Sequence, residues 1–409
     1  MPLPESTAYR ATGLFNPSWA RAIWSPASTT TTGVTAGRDA RLDMFRGLAL
    51  VMIFINHVPG TAYEAFTNRN FGFSDAAEAF VFMSGMAAGL AYSNRYRSGS
   101  LWAAIAKVWA RARQLYYVHI AITMLSLAIF AAAAKWFDMP EVLTKNNIAP
   151  LFQQPLSVLV GIPLLTHQLG YLNILPLYMT LLLATPVFLL VGLKKPWLLL
   201  GLSIALWIVA GQFRMNLPAF PNSGGWFFNP FSWQILFVIG LLSGAAMKVG
   251  SKFIPYHPAL FAAAGIFLLI VLLWMKVPPF GKLGMSGLSA LSQAGVPFYI
   301  TWFDKTFLAL PRLLHALVLF YFLGHLPVMR SFADSAIAAP LRIMGRQGLA
   351  VFAAGTVLSM ALQAVRTGRQ SDPLVDGILL GSGLLALFAL AWALTKTAEI
   401  TRSKAPATP

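Results

Sequence analysis

Apolar stretches of about 17 to 27 residues follow one another along most of this chain, separated by short polar segments. Each stretch is close to the roughly 20 residues that an α-helix needs to cross a bilayer. We therefore predict an all-α polytopic membrane protein with about ten transmembrane helices. The predicted spans lie at about 43–59, 75–94, 108–134, 171–192, 197–213, 230–247, 258–275, 308–326, 341–364 and 374–397.

The segments outside these spans predict a simple domain organisation. Residues 1–40 are polar and rich in Thr, Ser, Pro and Ala, which predicts a disordered cytoplasmic segment. Residues 41–397 are predicted to form the membrane domain, and residues 398–409 a cytoplasmic tail. Within the membrane domain, residues 151–166 are apolar but short and interrupted by prolines. This pattern predicts a re-entrant or interfacial piece.

Composition and charge narrow the class further. The chain is 57% hydrophobic and only 11% charged, whereas soluble domains carry about 25% charged residues. It has no cysteine, which excludes disulfides and thiolate nucleophiles. The net charge of +17 is typical of basic cytoplasmic loops in a membrane protein, and no nucleic-acid motif accompanies it.

The distribution of basic residues predicts the orientation. If the N-terminus lies inside, 20 of the 30 Lys and Arg residues fall on the cytoplasmic side. The positive-inside rule then places both termini in the cytoplasm. The same orientation places the long loops 135–170 and 276–307 outside.

Two ionisable residues mark the first predicted span. Arg46 and His57 are eleven residues apart, which is about three helical turns and ~16 Å along the axis, so both side chains share one face. Ionisable residues at membrane depth are costly and therefore candidates for function. The alternative is an arginine whose charged end reaches the interface and a histidine at the lipid boundary.

The second predicted span starts with two acids, Asp75 and Glu78, at i and i+3. If both spans cross the membrane, these acids return to the rim where His57 lies. A carboxylate hydrogen-bonded to one imidazole nitrogen leaves the other nitrogen as a base. The alternative for Asp75 is an N-cap. Ser84 and Gly85 are more typical of close helix packing than of a nucleophile.

Further polar residues gather at both predicted membrane faces. Amide, aromatic and charged groups on the outer face suit sugar binding or stabilisation of an oxyanion; the alternative for the tryptophan is an aromatic belt. These are Asn173, Asn229, Trp233, Gln234, Lys305, Arg312 and His315. Arginines on the inner face suit the phosphates of a nucleotide-type donor, and orienting charge is the alternative. These are Arg46, Arg111, Arg113 and Arg346.

Six segments, in this order, resemble the OpgC family, the osmoregulated periplasmic glucan succinyltransferases. They are RLDMFRGLALVMIFINHVPG, FGFSDAAEAFVFMSGMAAGLAY, RARQLYYVHI, ILPLY, FFNPFSWQILFVIG and the DKT…RLLH region. The resemblance covers nearly all of residues 37–396 and leaves out the first 36. The Arg-x10-His spacing and the Ser-Gly pair are also similar to the wider acyltransferase-3-like group, which modifies cell-surface sugars.

The resemblance implies an enzyme of the bacterial inner membrane that moves an acyl group from cytoplasmic acyl-CoA to hydroxyls of a periplasmic glucan. Succinyl-CoA would be a co-substrate, with the glucan and membrane lipid as partners and no bound cofactor, metal or nucleic acid. His57 would be the essential membrane histidine, and Arg46 the arginine of its motif. Asp75 and Glu78 would be the acids of the DAAE segment. At Asn173 the chain departs from the commoner family residue.

In the mechanism that we expect, His57, oriented by Glu78 or Asp75, removes the proton from a glucose hydroxyl that opens toward the periplasm. Asn229, Lys305 or Arg312 would stabilise the oxyanion. Direct transfer and an acyl-histidine intermediate both remain open.

A succinyl donor also needs a cation for its terminal carboxylate, because a buried unpaired charge is costly. Arg312 is our first choice, and its alternative is an ion pair with Asp304.

Other functions are compatible with the same residues. An O-acetyltransferase of a cell-surface glycan would use the same core chemistry. A proton-coupled transporter or lipid-linked-sugar flippase would use the histidine and acids as a proton relay. That class often shows duplicated halves with interrupted helices, and no such repeat is apparent in the sequence. A structural or sensor membrane protein would leave the polar groups of the outer face unexplained.

Overall fold

The computed structural model describes residues 39–404, and these fold into helices joined by turns and loops, with no β-strand in the described range. Thirteen of the helices have eight residues or more. They are α1 (Ala40–Asn56), α2 (Ala76–Ser98), α3 (Leu101–Trp136), α4 (Ile174–Gly192), α5 (Pro196–Gln212), α6 (Pro230–Met247), α7 (Pro258–Lys276), α8 (Pro278–Gln293), α9 (Leu310–His325), α10 (Pro327–Asp334), α11 (Ala339–Arg346), α12 (Gly348–Arg366) and α13 (Pro373–Lys404).

The all-α polytopic fold predicted from the sequence is confirmed, and each of the ten predicted spans coincides with helix. Six helices in the described range are long and apolar enough to cross a membrane, namely α3, α4, α6, α7, α12 and α13. The pair α9 and α10 makes a seventh span if the bend of 71° between them is counted as one crossing. The number ten and the cytoplasmic termini stay predictions.

The structure differs from the predicted spans in one place, adds detail in a second and leaves a third untested. The span predicted at 341–364 is interrupted at Gln347, where α11 ends and α12 begins. The tail predicted from residue 398 is helical as far as Lys404, because α13 continues beyond its apolar part. Residues 1–38 of the predicted N-terminal segment lie outside the described range.

The loop predicted at 276–307 contains the 16-residue helix α8. Its apolar residues Phe280, Leu283 and Leu291 share one exposed face. Glycine and serine lie between them, so the sequence contains no continuous apolar run from which this helix could be predicted. The predicted re-entrant piece is formed by two short helices, Pro150–Gln153 and Pro155–Gly161. Each starts with a proline, whose missing N–H is not needed in a first helical turn.

Helices α2 and α6 pack with their backbones in contact through four glycines. A Cβ atom on Gly85 would collide with the carbonyl of Phe237, and one on Gly89 with that of Leu241. The contact is reciprocal, because Gly240 and Gly244 meet backbone of α2 in the same way. Small residues spaced by four let membrane helices approach this closely. The close-packing interpretation of Gly85 is therefore confirmed.

We expect Gly85→Val to lower the free energy of unfolding by about 1–3 kcal/mol, because the backbones of α2 and α6 must separate to make room for the side chain. The measurement is thermal unfolding in detergent, followed by tryptophan fluorescence. Gly201→Val on α5 is the matched control, since a Cβ there meets nothing within 4 Å. Equal losses of Tm in the two variants would contradict the packing role.

Candidate active site

A cavity of about 500 Å³ opens where α1 ends and α2 begins. The segment around residues 147–174 closes one side of it, and the loops before α6 and α9 close the other. Its wall combines polar and aromatic side chains with the aliphatic residues Ile53, Ala76, Ala77 and Ile174. It includes His57, Arg69, Asp75, Asn147, Gln168, Tyr171, Asn173, Phe227, Phe228 and Lys305.

His57 is held in this cavity by its backbone. Its N–H donates to the carbonyl of Ile53 at 2.9 Å, and its carbonyl accepts from Nε2 of Gln363 at 2.6 Å. The imidazole lies against the ring of Tyr171, with 4.9 Å between centroids. Tyr171 has a φ of 68°, a left-handed conformation that is uncommon for a bulky residue and is often found at functional sites. Among the residues that the structure describes, none hydrogen-bonds to the nitrogen atoms of the imidazole.

The two predicted acids form a capping box at the start of α2. The Asp75 carboxylate accepts from the N–H of Ala77 at 2.8 Å. Oε2 of Glu78 accepts from the N–H of Asp75 at 2.8 Å. The N-cap alternative for Asp75 is therefore confirmed, and Glu78 takes part in the same motif. Asp75 lines the cavity, whereas Glu78 is fully buried behind it.

Both acids are also paired with cations from the loop and helix of α9. Arg312 donates to Oε1 of Glu78 through Nε at 2.8 Å and Nη2 at 2.5 Å, and to Oδ2 of Asp75 at 3.2 Å. The ammonium of Lys305 donates to the same Asp75 oxygen. We call Asp75, Glu78, Lys305 and Arg312 the charge cluster. Its formal charges cancel, which is what makes burial of four ionic groups tolerable.

The charge cluster corrects two expectations. In the part of the chain that the structure describes, neither acid is hydrogen-bonded to the imidazole of His57; their oxygens accept from the two cations and from the helix start. The alternative pairing of Arg312 with Asp304 is wrong, since Oδ1 of Asp304 accepts instead from the N–H of Phe307 at 2.7 Å.

Three residues predicted to bind the acceptor or the oxyanion point into the protein. Asn229 caps α6 and donates to the carbonyl of Met215 at 2.7 Å. Trp233 donates from Nε1 to the carbonyl of Lys305 at 2.9 Å, and Gln234 donates to a carbonyl of α5 at 2.8 Å. All three are at most 3% exposed, and none lines the cavity. They hold the surrounding loops in place, so a contact with substrate is not supported.

His315, which was also predicted to face the acceptor, is buried beside the start of α2. Its Nδ1 lies 2.7 Å from Oγ of Ser74 and 3.3 Å from the N–H of the same residue. Its ring also packs next to Gly72 and Phe73. His315 therefore supports the segment that positions Asp75 and does not itself line the cavity.

Sequence reasoning missed part of the polar wall. Nδ2 of Asn173 donates to Oε1 of Gln168 at 3.1 Å, and Nδ2 of Asn147 donates to the carbonyl of Gln168 at 2.9 Å. Only Asn173 was predicted. The available signal was the proline-broken piece at 151–166, because a re-entrant or interfacial segment would bring its polar ends to the same rim.

The predicted inner arginines separate into two groups. Arg46 and Arg346 both approach the buried carboxylate of Asp43, at 3.9 Å and 3.4 Å. They meet because α1 and α11 pack closely, with Gly47 and Gly345 each against backbone of the other helix.

The remaining inner arginines lie on α3. Arg111 lies close enough to the hydroxyl of Tyr178 to act on it electrostatically, and so does Arg46. Arg113 is exposed. Residues i and i+2 do not share a helix face, so Arg111 and Arg113 point to different sides of α3; binding of the donor by either stays a prediction.

Comparison with known proteins is informative at the level of the family. The family model described as OpgC protein matches residues 38–399, which includes the cavity, the charge cluster and both groups of arginines. A search of curated proteins gave no match.

Proposed function

Because this chain belongs to the OpgC protein family, we propose that it is a membrane O-acyltransferase that moves succinyl from cytoplasmic acyl-CoA to hydroxyls of a periplasmic glucan. Family membership supports the general class, an acyltransferase acting on glucans. The observation that carries the finer proposal is the imidazole of His57. It lies on the wall of the cavity, where backbone hydrogen bonds of His57 and the ring of Tyr171 hold it in place.

The cavity suits a carbohydrate acceptor. Amide side chains both donate and accept hydrogen bonds, as sugar hydroxyls require, and aromatic rings offer apolar faces to a sugar ring. Asn147, Gln168 and Asn173 supply the amides, and Tyr171 and Phe227 supply rings. These groups surround His57, so a bound glucose unit would present a hydroxyl to the imidazole.

In the proposed reaction, His57 removes the hydroxyl proton as the oxygen attacks the thioester carbonyl of the donor. An ester bond forms, the C–S bond breaks, and the proton on His57 passes to the departing thiolate of CoA. Removal of a proton requires a neutral imidazole with a free nitrogen. The absence of hydrogen bonds from the ring to other described residues agrees with this role.

The donor is proposed to enter from the side of the inner arginines. Arg46 is on the same helix as His57 and ~16 Å from it along the axis, so the donor must be bound in an extended form. Arg46 and Arg111 are proposed to hold its phosphates, because a guanidinium binds phosphate through charge-assisted hydrogen bonds. Arg346 lies near Arg46, because both approach the carboxylate of Asp43.

The test is a transfer assay with the purified full-length protein in lipid nanodiscs, radiolabelled succinyl-CoA and acetyl-CoA, and a panel of glucans. We expect label to appear in a glucan as an alkali-labile ester, and succinyl-CoA to be the better donor. Transfer of acetyl alone would replace the succinyl assignment with O-acetylation. Failure of every donor with every glucan, while the protein remains folded, would overturn the proposed function.

A further inference from the structure

We propose that Lys305 binds the distal carboxylate of the acyl group. It would thereby select a donor whose acyl group carries a free carboxylate in addition to the thioester. This inference rests on the proposed function, and it concerns which residue sets the choice of donor. The sequence analysis predicted that Arg312 binds this carboxylate; we assign that role to Lys305 instead.

The position of Lys305 is fixed on the cavity wall. Its carbonyl accepts from Nε1 of the fully buried Trp233, which anchors the loop before α9. Its side chain is 27% exposed and lines the same cavity as His57. Because His57 and Lys305 line one cavity, an acyl group whose thioester carbon faces His57 would extend its far end toward Lys305.

The ammonium of Lys305 has hydrogen-bonding capacity left for a ligand. It has three N–H donors, and one is directed to Asp75. The rings of Phe228 and Phe227 lie on another side, with centroids 5.5 Å and 5.9 Å from Nζ. These rings remove water without using a donor. A carboxylate in the cavity can accept the remaining N–H groups.

Arg312 cannot take this part while the charge cluster is intact. Its Nε and Nη2 are directed to Glu78 and Asp75, and its side chain is only 12% exposed. It is not part of the cavity wall. It neutralises the buried Glu78, so Lys305 and Arg69 are the cations on the cavity wall.

Two cations, Arg69 and Lys305, lie on the cavity wall. Each is paired with one acid, Arg69 with Glu64 and Lys305 with Asp75. A ligand carboxylate would therefore be held by the N–H donors that these pairs leave over, and such hydrogen bonds reduce the cost of removing the carboxylate from water.

The experiment compares succinyl-CoA with butyryl-CoA, which has the same chain length and no distal charge, in wild type, Lys305→Met and Lys305→Arg. The readout is the ratio of kcat/KM for the two donors. We expect Lys305→Met to lower this ratio at least about tenfold, as for the loss of a hydrogen bond to a charged group. Lys305→Arg should retain most of it. Lys276→Met is the matched control, since Lys276 lies over the ring of Phe71 and outside the cavity.

The other outcomes distinguish failure of the inference about Lys305 from failure of the proposed function. If Lys305→Met lowers kcat/KM equally for both donors, Lys305 acts on the oxyanion or on the fold, and the inference is overturned. If the ratio changes in Arg69→Gln and not in Lys305→Met, the carboxylate binds at Arg69 instead. Continued transfer of butyryl in any variant leaves the proposed function standing. If wild type uses neither donor, the proposed function itself fails.

Discussion

A His57→Gln variant is expected to transfer acyl groups at less than about one hundredth of the wild-type rate, because a general base contributes about 10²–10⁴-fold. It should remain folded, since His57 is bound to the protein through its backbone N–H and carbonyl, and both survive the substitution. Glutamine keeps a polar side chain of similar reach but cannot accept a proton at neutral pH. The measurements are kcat/KM with labelled donor and the Tm of the purified variant.

The control for His57 is a second histidine outside the cavity. His257 is exposed before α7, and only its backbone is used in contact with Tyr321. His257→Gln should therefore keep wild-type kcat/KM. Turnover by His57→Gln above about one tenth of wild type, with an unchanged Tm, would exclude the role of general base.

The sequence was sufficient for the parts of the site that depend on local periodicity. Two consecutive spans joined by a short loop must bring the end of one beside the start of the next, so His57 and Asp75 were predicted to meet at one rim. The structure places both on one cavity wall. The same local logic identified the N-cap at Asp75 and the close packing at Gly85.

The pairing of charges could not be read from the sequence. Glu78 and Arg312 are separated by 234 residues, and no helical or strand period relates residues at such a distance. A single alternative partner, Asp304, lies nearby in sequence, and it was wrong because its carboxylate closes a local turn. The partners were decided by how α2 and α9 pack, which is a property of the whole fold.

Orientation about a helix or loop axis was the other weak point. Arg111 and Arg113 were both predicted to bind the donor, although side chains two residues apart point to different sides of a helix. Asn229 was predicted to face a ligand, and its position directly before Pro230 instead makes it a cap. The amides of Asn147 and Gln168 escaped notice because they belong to a segment with no regular period.

We expect Arg312→Gln to be among the most destabilising substitutions in the cavity region. It removes two hydrogen bonds from Glu78, which is fully buried. Removal of one partner of a buried ion pair costs about 3–5 kcal/mol, because the remaining charge is left without compensation. Transfer should then fall with succinyl-CoA and butyryl-CoA alike, and this distinguishes Arg312 from Lys305, whose loss is expected to depend on the donor.

The double variant Glu78→Gln/Arg312→Gln separates an unpaired charge from a lost side chain. With both charges removed, Asp75 and Lys305 still form a neutral pair, so the double variant should unfold at a higher temperature than Arg312→Gln. Replacement of a whole buried ion pair is often nearly neutral, in contrast to its disruption. The thermodynamic cycle of wild type, both single variants and the double variant gives the coupling free energy between the two side chains. Purely additive losses of stability would show that Glu78 and Arg312 act independently, and the charge cluster would then not be what holds the start of α2 in place beside His57.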